Sequence, residues 1–372
     1  MNRPTDVLII NSYAGSLTIA ATQLGLKIRG SYEDAGFGLR TQRLNFPDLR
    51  YVEVLPWPKD DLSKTVVIAH PPCAAFSMQN MSQRQHMGVG TDAFEQHEVV
   101  MNYALGHGCR ALAIESVLGT LAGGRQVHER LAKRYDYQVH RILQNAVTFG
   151  VPQWRERFWI VFTKEPELRW AYEPRLRPLD NIIRAEGSLS SQTDREAETV
   201  FKRVATLGWT REKFIKQFLG GEETGNLLSI IERREALEDN QNHAEARAKY
   251  HLDRIYFSKI PYALNPETWA PVLLSDRSWW LLGRQAYVEE YEAIMGFPAG
   301  WRWHEKDFSK FRMFLSKGVC PPVAKWLLTQ LCGLERRAPN KILKAGEVLD
   351  LRVKKADIAA RLRQHEFTWR ES

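Results

Sequence analysis

Cysteine is scarce in this chain and carries no pattern. Among its 372 residues there are four cysteines, Cys73, Cys109, Cys320 and Cys332, and no two stand in C-x-x-C spacing. That argues against a zinc knuckle and against a disulfide framework, and no metal is expected. No apolar run approaches the roughly 20 residues that a membrane span requires. The N-terminus also lacks the charged-then-apolar pattern of a secretory leader. Internal repeats and low-complexity segments are missing too. These absences lead to the expectation of a soluble intracellular protein with no membrane partner. What is present is a hydrophobic fraction of 44%, ample for one large domain or two ordinary ones. The net charge is +8, a balance that suits a polyanionic partner such as nucleic acid without assigning one.

Apolar runs alternate with helical patterns. Val7-Leu8-Ile9-Ile10 predicts a strand, followed by a small-residue turn over 11–16 and a helical run from Leu17 to Leu24 closed by Gly25. Further strands are predicted from Ile28 to Tyr32, ending at Glu33-Asp34, and from Thr65 to Ala69, running into His70-Pro71-Pro72-Cys73. Two more run from Ala111 to Ile114, ending at Glu115, and from Phe158 to Phe162, after the basic loop from Gln153 to Arg157. Strands alternating with helices predict an α/β fold with a largely parallel sheet covered on both faces, with ligands at the carboxyl ends of its strands. Gly15, Glu33, Cys73 and Glu115 each follow such a strand.

From about 174 to 256 the texture turns charged and helical, with helices predicted over Arg195 to Leu207, Arg211 to Leu219 and Leu227 to Arg254. After Tyr256 the apolar texture returns. The basic tail after Leu334 reads as a small helical appendage. The predicted parts are therefore 1–173, 174–256, 257–334 and 335–372.

Cys73 stands beyond two prolines on a rigid turn, where a following helix N-terminus would favour its thiolate. Glu115 offers a carboxylate at a strand end, a position that also suits a cap or an ion pair. In Gly150-Val151-Pro152-Gln153-Trp154-Arg155-Glu156-Arg157 two arginines alternate, placing them on one face suited to a phosphate or a base edge, or to a pair with the intervening Glu156.

The order Pro-Pro-Cys, Glu-Ser-Val, Gly-Val-Pro-Gln-x-Arg-x-Arg resembles the DNA (cytosine-5)-methyltransferase family. Tyr13-Ala14-Gly15 and Glu33 match its first two motifs, Asn45-Phe46-Pro47 sits where the family often has it, and Met295-Gly296-Phe297-Pro298 looks like its Gly-Phe-Pro motif. Ser316-Lys317-Gly318-Val319, followed by Pro321-Pro322-Val323, looks like its final cofactor-side motif. The resemblance covers about 5–165 and 257–333, and 174–256 occupies the place of the family's target-recognition domain. It implies a Rossmann-like class I S-adenosylmethionine-dependent methyltransferase fold with an inserted recognition region. It also implies Cys73 as nucleophile on a flipped cytosine, with Glu115, Arg155 and Arg157 around the base. The cofactor would be S-adenosylmethionine, held by Tyr13, Ala14, Gly15, Glu33, Asp34, Pro71, Lys317 and Val319, with Glu53 a weaker candidate on the adenine side. The partner would be double-stranded DNA, contacted by Arg211, Lys213, Lys216 and Arg233. The protein would act as a monomer in the cytoplasm of a bacterial or phage-infected cell.

Several positions depart from the family. Ala74 replaces the usual Gln after the cysteine, Ser116 replaces Asn, Leu17 stands where the first motif has a second glycine, and Lys317 replaces an Asn near the transferable group. A lysine there needs an anionic partner. One is a local carboxylate; the other is carboxy-S-adenosylmethionine, which would make the product 5-carboxymethylcytosine. A transfer-RNA substrate and a catalytically silent DNA-binding module are the remaining alternatives.

Overall fold

The computed structural model describes residues 5–33, 38–73, 90–177, 179–182, 262–264, 270, 279–281, 284–304 and 308–353. They fall into two compact units, the first drawn from 1–151, 155–176 and 318–361 and the second from 152–154 and 177–317.

The first unit is built on a sheet whose strands are β1 (Asp6–Ile10), β2 (Ile28–Tyr32), β3 (Tyr51–Val52), β4 (Thr65–Ala69), β5 (Ala111–Ser116), β6 (Gln138–Asn145), β7 (Glu156–Thr163) and β13 (Val348–Asp350). They lie in the order β13-β6-β7-β5-β4-β1-β2-β3. All neighbours are parallel except β7, which runs antiparallel to β5 and to β6. The expected α/β sheet is therefore present.

Its central strands are apolar on both faces because both faces are covered. Leu8, Ile10, Val67, Ala69, Leu112, Ile114, Phe158, Ile160 and Phe162 join one core with Phe94, Val100, Met101 and Ala104 of α3 (Asp92–Gly106) and, after the short α4 (Gly119–Gly123), Val127 and Leu131 of α5 (Arg125–Tyr135). The alternate residues Val7, Ile9, Val66, Ile68, Ala113 and Trp159 are equally closed to water. On α1 (Ser16–Gln23), which contacts β1 and β2, helix α8 (Pro321–Leu331) is packed. Each fully buried aliphatic side chain contributes roughly 1.5–3 kcal/mol.

β1 and β4 are neighbours at the centre, and the chain leaves them in opposite directions, to β2 on one side and to β5 on the other. Such a switch point opens a crevice at the carboxyl ends of the strands. The turn 11–16, Glu33, Cys73 and Glu115 all stand on that edge.

The tail corrects one expectation. Over 341–350 it is not helical: β12 (Lys341–Lys344) pairs antiparallel with β8 (Glu167–Trp170), and β13 lies parallel beside β6 as the edge strand of the sheet. Burial alternates along β12: Leu343 is closed to water and Lys341 half-buried on one side, while Ile342 and Lys344 are exposed on the other. That is strand periodicity in a segment whose basic composition suggested a helix. Strand β6 was missed because its mixed sequence, with buried His140, Arg141 and Gln144, hides an apolar pattern.

In the second unit β9 (Tyr262–Leu264), β10 (Trp279–Leu281) and β11 (Arg284–Gln285) form a small sheet. Helix α6 (Val288–Met295) ends at Gly296, whose left-handed φ of 80° explains the glycine of Gly-Phe-Pro. Helix α7 (Phe308–Lys317) closes with Lys317. The helices expected within 195–254 lie outside the described residues.

Candidate active site

Strand β4 runs directly into the Pro-Pro-Cys turn. The His70 backbone N–H still donates to the Ile10 carbonyl at 3.0 Å, so the ladder holds the chain until the prolines stiffen it. From α3 the buried His97 ring places Nε2 at 3.1 Å from the Pro72 carbonyl oxygen. A carbonyl only accepts, so this ring carries its proton on Nε2, and burial, which lowers its pKa to about 4, keeps it neutral. Cys73 is thus presented by two prolines and one neutral imidazole, and it alone of the four cysteines is not buried.

Glu115, 1% exposed, stands beside it at the end of β5. His70 Nε2 lies 3.0 Å from Oε2, and Arg157 Nε lies 3.2 Å from Oε1. Neither contact has full hydrogen-bond geometry, so charge more than direction holds the carboxylate. Its lone pairs retain capacity for a further donor. Burial alone would raise the Glu115 pKa; His70, Arg157 and Arg155 outweigh it and hold the group below the ordinary carboxylate value. Burial likewise opposes charge on His70, yet the Glu115 carboxylate and then Cys73 raise it to about 9. At Cys73 burial pushes upward, and hydrogen bonding to His70, its charge and that of Arg157 bring the thiol below its usual range. His70, Arg155 and Arg157 thus face Glu115 and Cys73, three cationic groups against two anionic ones. Such a site favours a thiolate, and favours negative charge developing on a bound ring.

The two arginines act differently. Arg157 grips Glu115 and donates from Nη1 to the Glu156 carbonyl at 2.7 Å. Arg155 is buried, donates from Nη2 to the Gly318 carbonyl at 2.8 Å, and has its own N–H bonded to Asn145 Oδ1 at 3.0 Å. Burial and then Arg157 lower its pKa to about 10. The Val319 N–H donates to Ser16 Oγ at 3.3 Å. The segment 318–319 is thereby tied to both the arginine loop and the start of α1, distant in sequence but adjoining at the site.

On the β1 side, Asn11, Tyr13 and Gly15 have left-handed φ values of 55°, 53° and 97°, so the turn folds back tightly and presents backbone groups to the crevice. A Cβ on Gly38 would fall 2.8 Å from the Ala14 nitrogen; only glycine lets the chain pass so close. Buried Glu33 accepts from the Ser12 N–H at 3.0 Å, Ser31 Oγ at 2.9 Å and Gln42 Nε2 at 3.1 Å, all on Oε1. An acid fixed at the end of the second strand, beside a tight turn after the first, is the hydrogen-bond acceptor that the hydroxyls of a nucleoside ribose require. These residues therefore fit S-adenosylmethionine. Glu53 is exposed and paired with Arg43 of α2 (Leu39–Asn45), so its charge is already engaged. Pro71 is buried within the turn, and the Lys317 side chain is exposed. Asp34, Arg211, Lys213, Lys216 and Arg233 lie outside the described residues.

His70 had no assigned role in the sequence reading. The signal was its place directly after a fully apolar strand and three residues before the cysteine. A histidine at the carboxyl end of a central strand is carried to the crevice like its neighbours.

A model of the C-5 cytosine-specific DNA methylase family matches residues 7–332. The type II methyltransferase M.AplI of Arthrospira platensis is 27% identical over 170 residues, covering 42% of this chain and 46% of that relative. The match thus spans less than half of its length. Among solved structures, a prophage-encoded DNA modification methyltransferase (E. coli) aligns with a TM-score of 0.56 at 18% identity over 89% of this chain and 98% of its own. The methyltransferase EhMeth of Entamoeba histolytica aligns with a TM-score of 0.56 at 11% identity over 90% and 100%. The Dnmt2 methyltransferase of S. pombe gives 0.54 at 11% over 90% and 100%. At these identities the likeness is one of fold.

Proposed function

The chain belongs to the C-5 cytosine-specific DNA methylase family, and on that premise we propose that it transfers a methyl group to carbon 5 of cytosine in DNA through a covalent adduct with Cys73. The observation that carries this reading is the placement of Cys73, the cysteine that is not buried, beyond the end of β4, next to the end of β5 where the buried Glu115 carboxylate stands between His70 and Arg157. Carbon 5 of cytosine is too weak a nucleophile to be alkylated directly. Addition of the Cys73 thiolate to carbon 6 breaks the 5,6 double bond and sends its electron pair towards ring nitrogen 3, where a proton from the Glu115 side neutralises it. Carbon 5 is then an enamine-type nucleophile. S-adenosylmethionine, held by the 11–16 turn and Glu33, supplies the methyl electrophile when bound. Loss of the proton on carbon 5 and expulsion of Cys73 restore the ring. Arg157 holds Glu115 in place, and Arg155 holds the 318–319 segment. The target base reaches Cys73 only by leaving the duplex.

A 5-fluorocytosine oligonucleotide tests the reading directly, because fluorine at carbon 5 blocks release of the enzyme. The wild type is expected to form a denaturation-resistant adduct, and Cys73→Ser to form none while still binding DNA. An adduct of equal yield with the serine variant removes Cys73 from the role. A catalytically silent module gives no adduct at all, and preference for a transfer-RNA substrate identifies the other alternative.

A second reading rests on Lys317, which ends α7 immediately before the tied Gly318-Val319 segment. A lysine there favours carboxy-S-adenosylmethionine, whose extra carboxylate it would pair. Its side chain is exposed, so the pair contributes only about 0–1 kcal/mol unless the cofactor excludes water. Methyl transfer is therefore the primary reading. In competition with both cofactors, carboxymethyl selectivity predicts 5-carboxymethylcytosine from the wild type and a shift of up to about tenfold towards 5-methylcytosine in Lys317→Asn. Only 5-methylcytosine from both proteins eliminates it.

A further inference from the structure

Family membership assigns no part to His70, yet this ring meets both halves of the chemistry. It is 3% exposed. Its Nε2 stands 3.0 Å from Glu115 Oε2, while its Nδ1 is buried and completes no hydrogen bond within the protein. The groups that face it come from every neighbouring element. Glu115 is on β5, Cys73 is on its own turn, and Tyr13, from the turn after β1, meets the ring edge-on with centroids 4.9 Å apart. His97 of α3 approaches from behind but is neutral, and Arg157 lies on the far side of Glu115. An imidazole that served only to pack would not need a carboxylate in a site closed to water. One that served only as a counter-ion would not need to adjoin the thiol.

We propose that His70 is a positioning residue that couples Cys73 to Glu115, storing the proton given up by the thiol and returning it through the carboxylate to the base. This rests on Cys73 as the nucleophile. The proton balance is closed. The thiol proton passes to the imidazole, leaving a thiolate and an imidazolium. As sulfur bonds to carbon 6 and the 5,6 electron pair moves to ring nitrogen 3, the imidazolium proton crosses from Nε2 to the Glu115 carboxylate and from the carboxylate to that nitrogen. When carbon 5 is alkylated the nitrogen gives the proton back along the same path. The thiolate expelled at the end recovers it. No outside acid is needed for the addition step, and the one proton that leaves is that of carbon 5.

The pH dependence of Cys73 alkylation isolates this coupling from methyl transfer. Cys109, Cys320 and Cys332 are buried, with burial pushing their thiols up to about 12, 11 and 11, so peptide mass spectrometry with iodoacetamide reads Cys73 cleanly. In the wild type the alkylation midpoint is expected below the ordinary thiol value. In His70→Gln, which keeps a hydrogen-bonding side chain but cannot titrate, it should rise by a pH unit or more, slowing alkylation about tenfold near neutrality. The same variant should lose rate with little change in KM and recover rate as the pH is raised.

Coincident alkylation profiles overturn the proposal. Should His70→Gln not fold, an NMR titration of the wild-type ring decides. The imidazole is expected to stay protonated through neutral pH and to titrate lower in Cys73→Ala; a ring neutral at pH 7, or one indifferent to that substitution, overturns it equally. A wild type with shifted alkylation but no 5-fluorocytosine adduct would overturn the methyl-transfer reading while leaving the His70–Cys73 coupling in place. An adduct with coincident profiles would do the reverse.

Discussion

Glu115 keeps its charge in a place that water does not reach because two cations flank it. The carboxylate is 1% exposed, with His70 at 3.0 Å on one oxygen and Arg157 at 3.2 Å on the other. A buried carboxylate without those partners would be neutral. Its contribution is expected to lie in the chemical step, since protonation of the ring matters only once sulfur has added. Glu115→Gln should lower the single-turnover rate on the order of 100-fold or more while DNA affinity changes far less. Rapid-quench kinetics at saturating DNA check this, and a normal single-turnover rate in the variant would remove Glu115 from the proton path. Its neighbour His70 carries the opposite signature in stability. A folded pKa raised from 6.5 to about 9 contributes stability that is complete below pH 6.5 and is lost as the pH rises through 9.

Helix α3 supports the site from behind, and α5 packs against α3. α3 carries His97 into the Pro-Pro-Cys turn, stacked on Phe94 with centroids 5.4 Å apart. α5 carries His128, buried with no hydrogen bond at either ring nitrogen and set against Gly124, where a Cβ would fall 2.7 Å from the ring. Burial, with lesser effects of His97 and Arg141, lowers the His128 pKa to about 3, so protonation works against the fold. For such a ring stability is complete above pH 6.5 and falls as the pH drops from there towards 3. An unsatisfied buried polar group also costs about 1–3 kcal/mol at any pH. His128→Leu should therefore raise stability by about 1–2 kcal/mol near neutral pH and flatten part of the loss on the acid side. Chemical denaturation at pH 7 and pH 5 measures both. A destabilised variant would mean that shape, not polarity, decides this position. At the other edge of the sheet, Asn340 bonds both backbone groups of Tyr172 through its side chain, each at 2.9 Å, and so seats the tail strands.

At the scale of the whole molecule, charge and chain order matter more than any contact. The net charge of +8 accompanies a proposed catalytic centre in the first unit, whereas the proposed recognition segment, 174–256 with Arg211, Lys213, Lys216 and Arg233, is separate in sequence from Cys73, Glu115, Arg155 and Arg157. Exchanging that segment for the equivalent one of a related enzyme should move the modified site and leave adduct formation at Cys73 intact. Phosphate contacts by these basic residues should also make DNA affinity fall steeply with salt, each lost contact reducing the slope by about one. Sequencing of the modified positions, together with binding measured across salt concentrations, tests both. An unmoved site would place recognition elsewhere.

The strands that carry chemistry were legible in the sequence because a doubly covered parallel sheet writes itself as continuous apolar runs. Thr65 to Ala69 and Ala111 to Ile114 announce where Cys73 and Glu115 must emerge, and the motif order alone pointed to the family. The β-strands of the basic tail were not legible, since an edge strand with one buried leucine has too few apolar residues to outweigh its lysines. Nor was the partition of labour between Arg155 and Arg157, which alternate in sequence but meet a backbone carbonyl from residue 318 and a carboxylate from residue 115. His70 stood in plain view three residues before the cysteine, but nothing in the chain order says that β4 and β5 are neighbours. Their parallel pairing, Ala69 beside Ile114, sets the next residue of each strand side by side. Ionisation of a buried group depends on interactions across the sheet, which fall off with separation in space and not along the chain, so the sequence determined which groups were available and the tertiary structure alone decided which of them are charged.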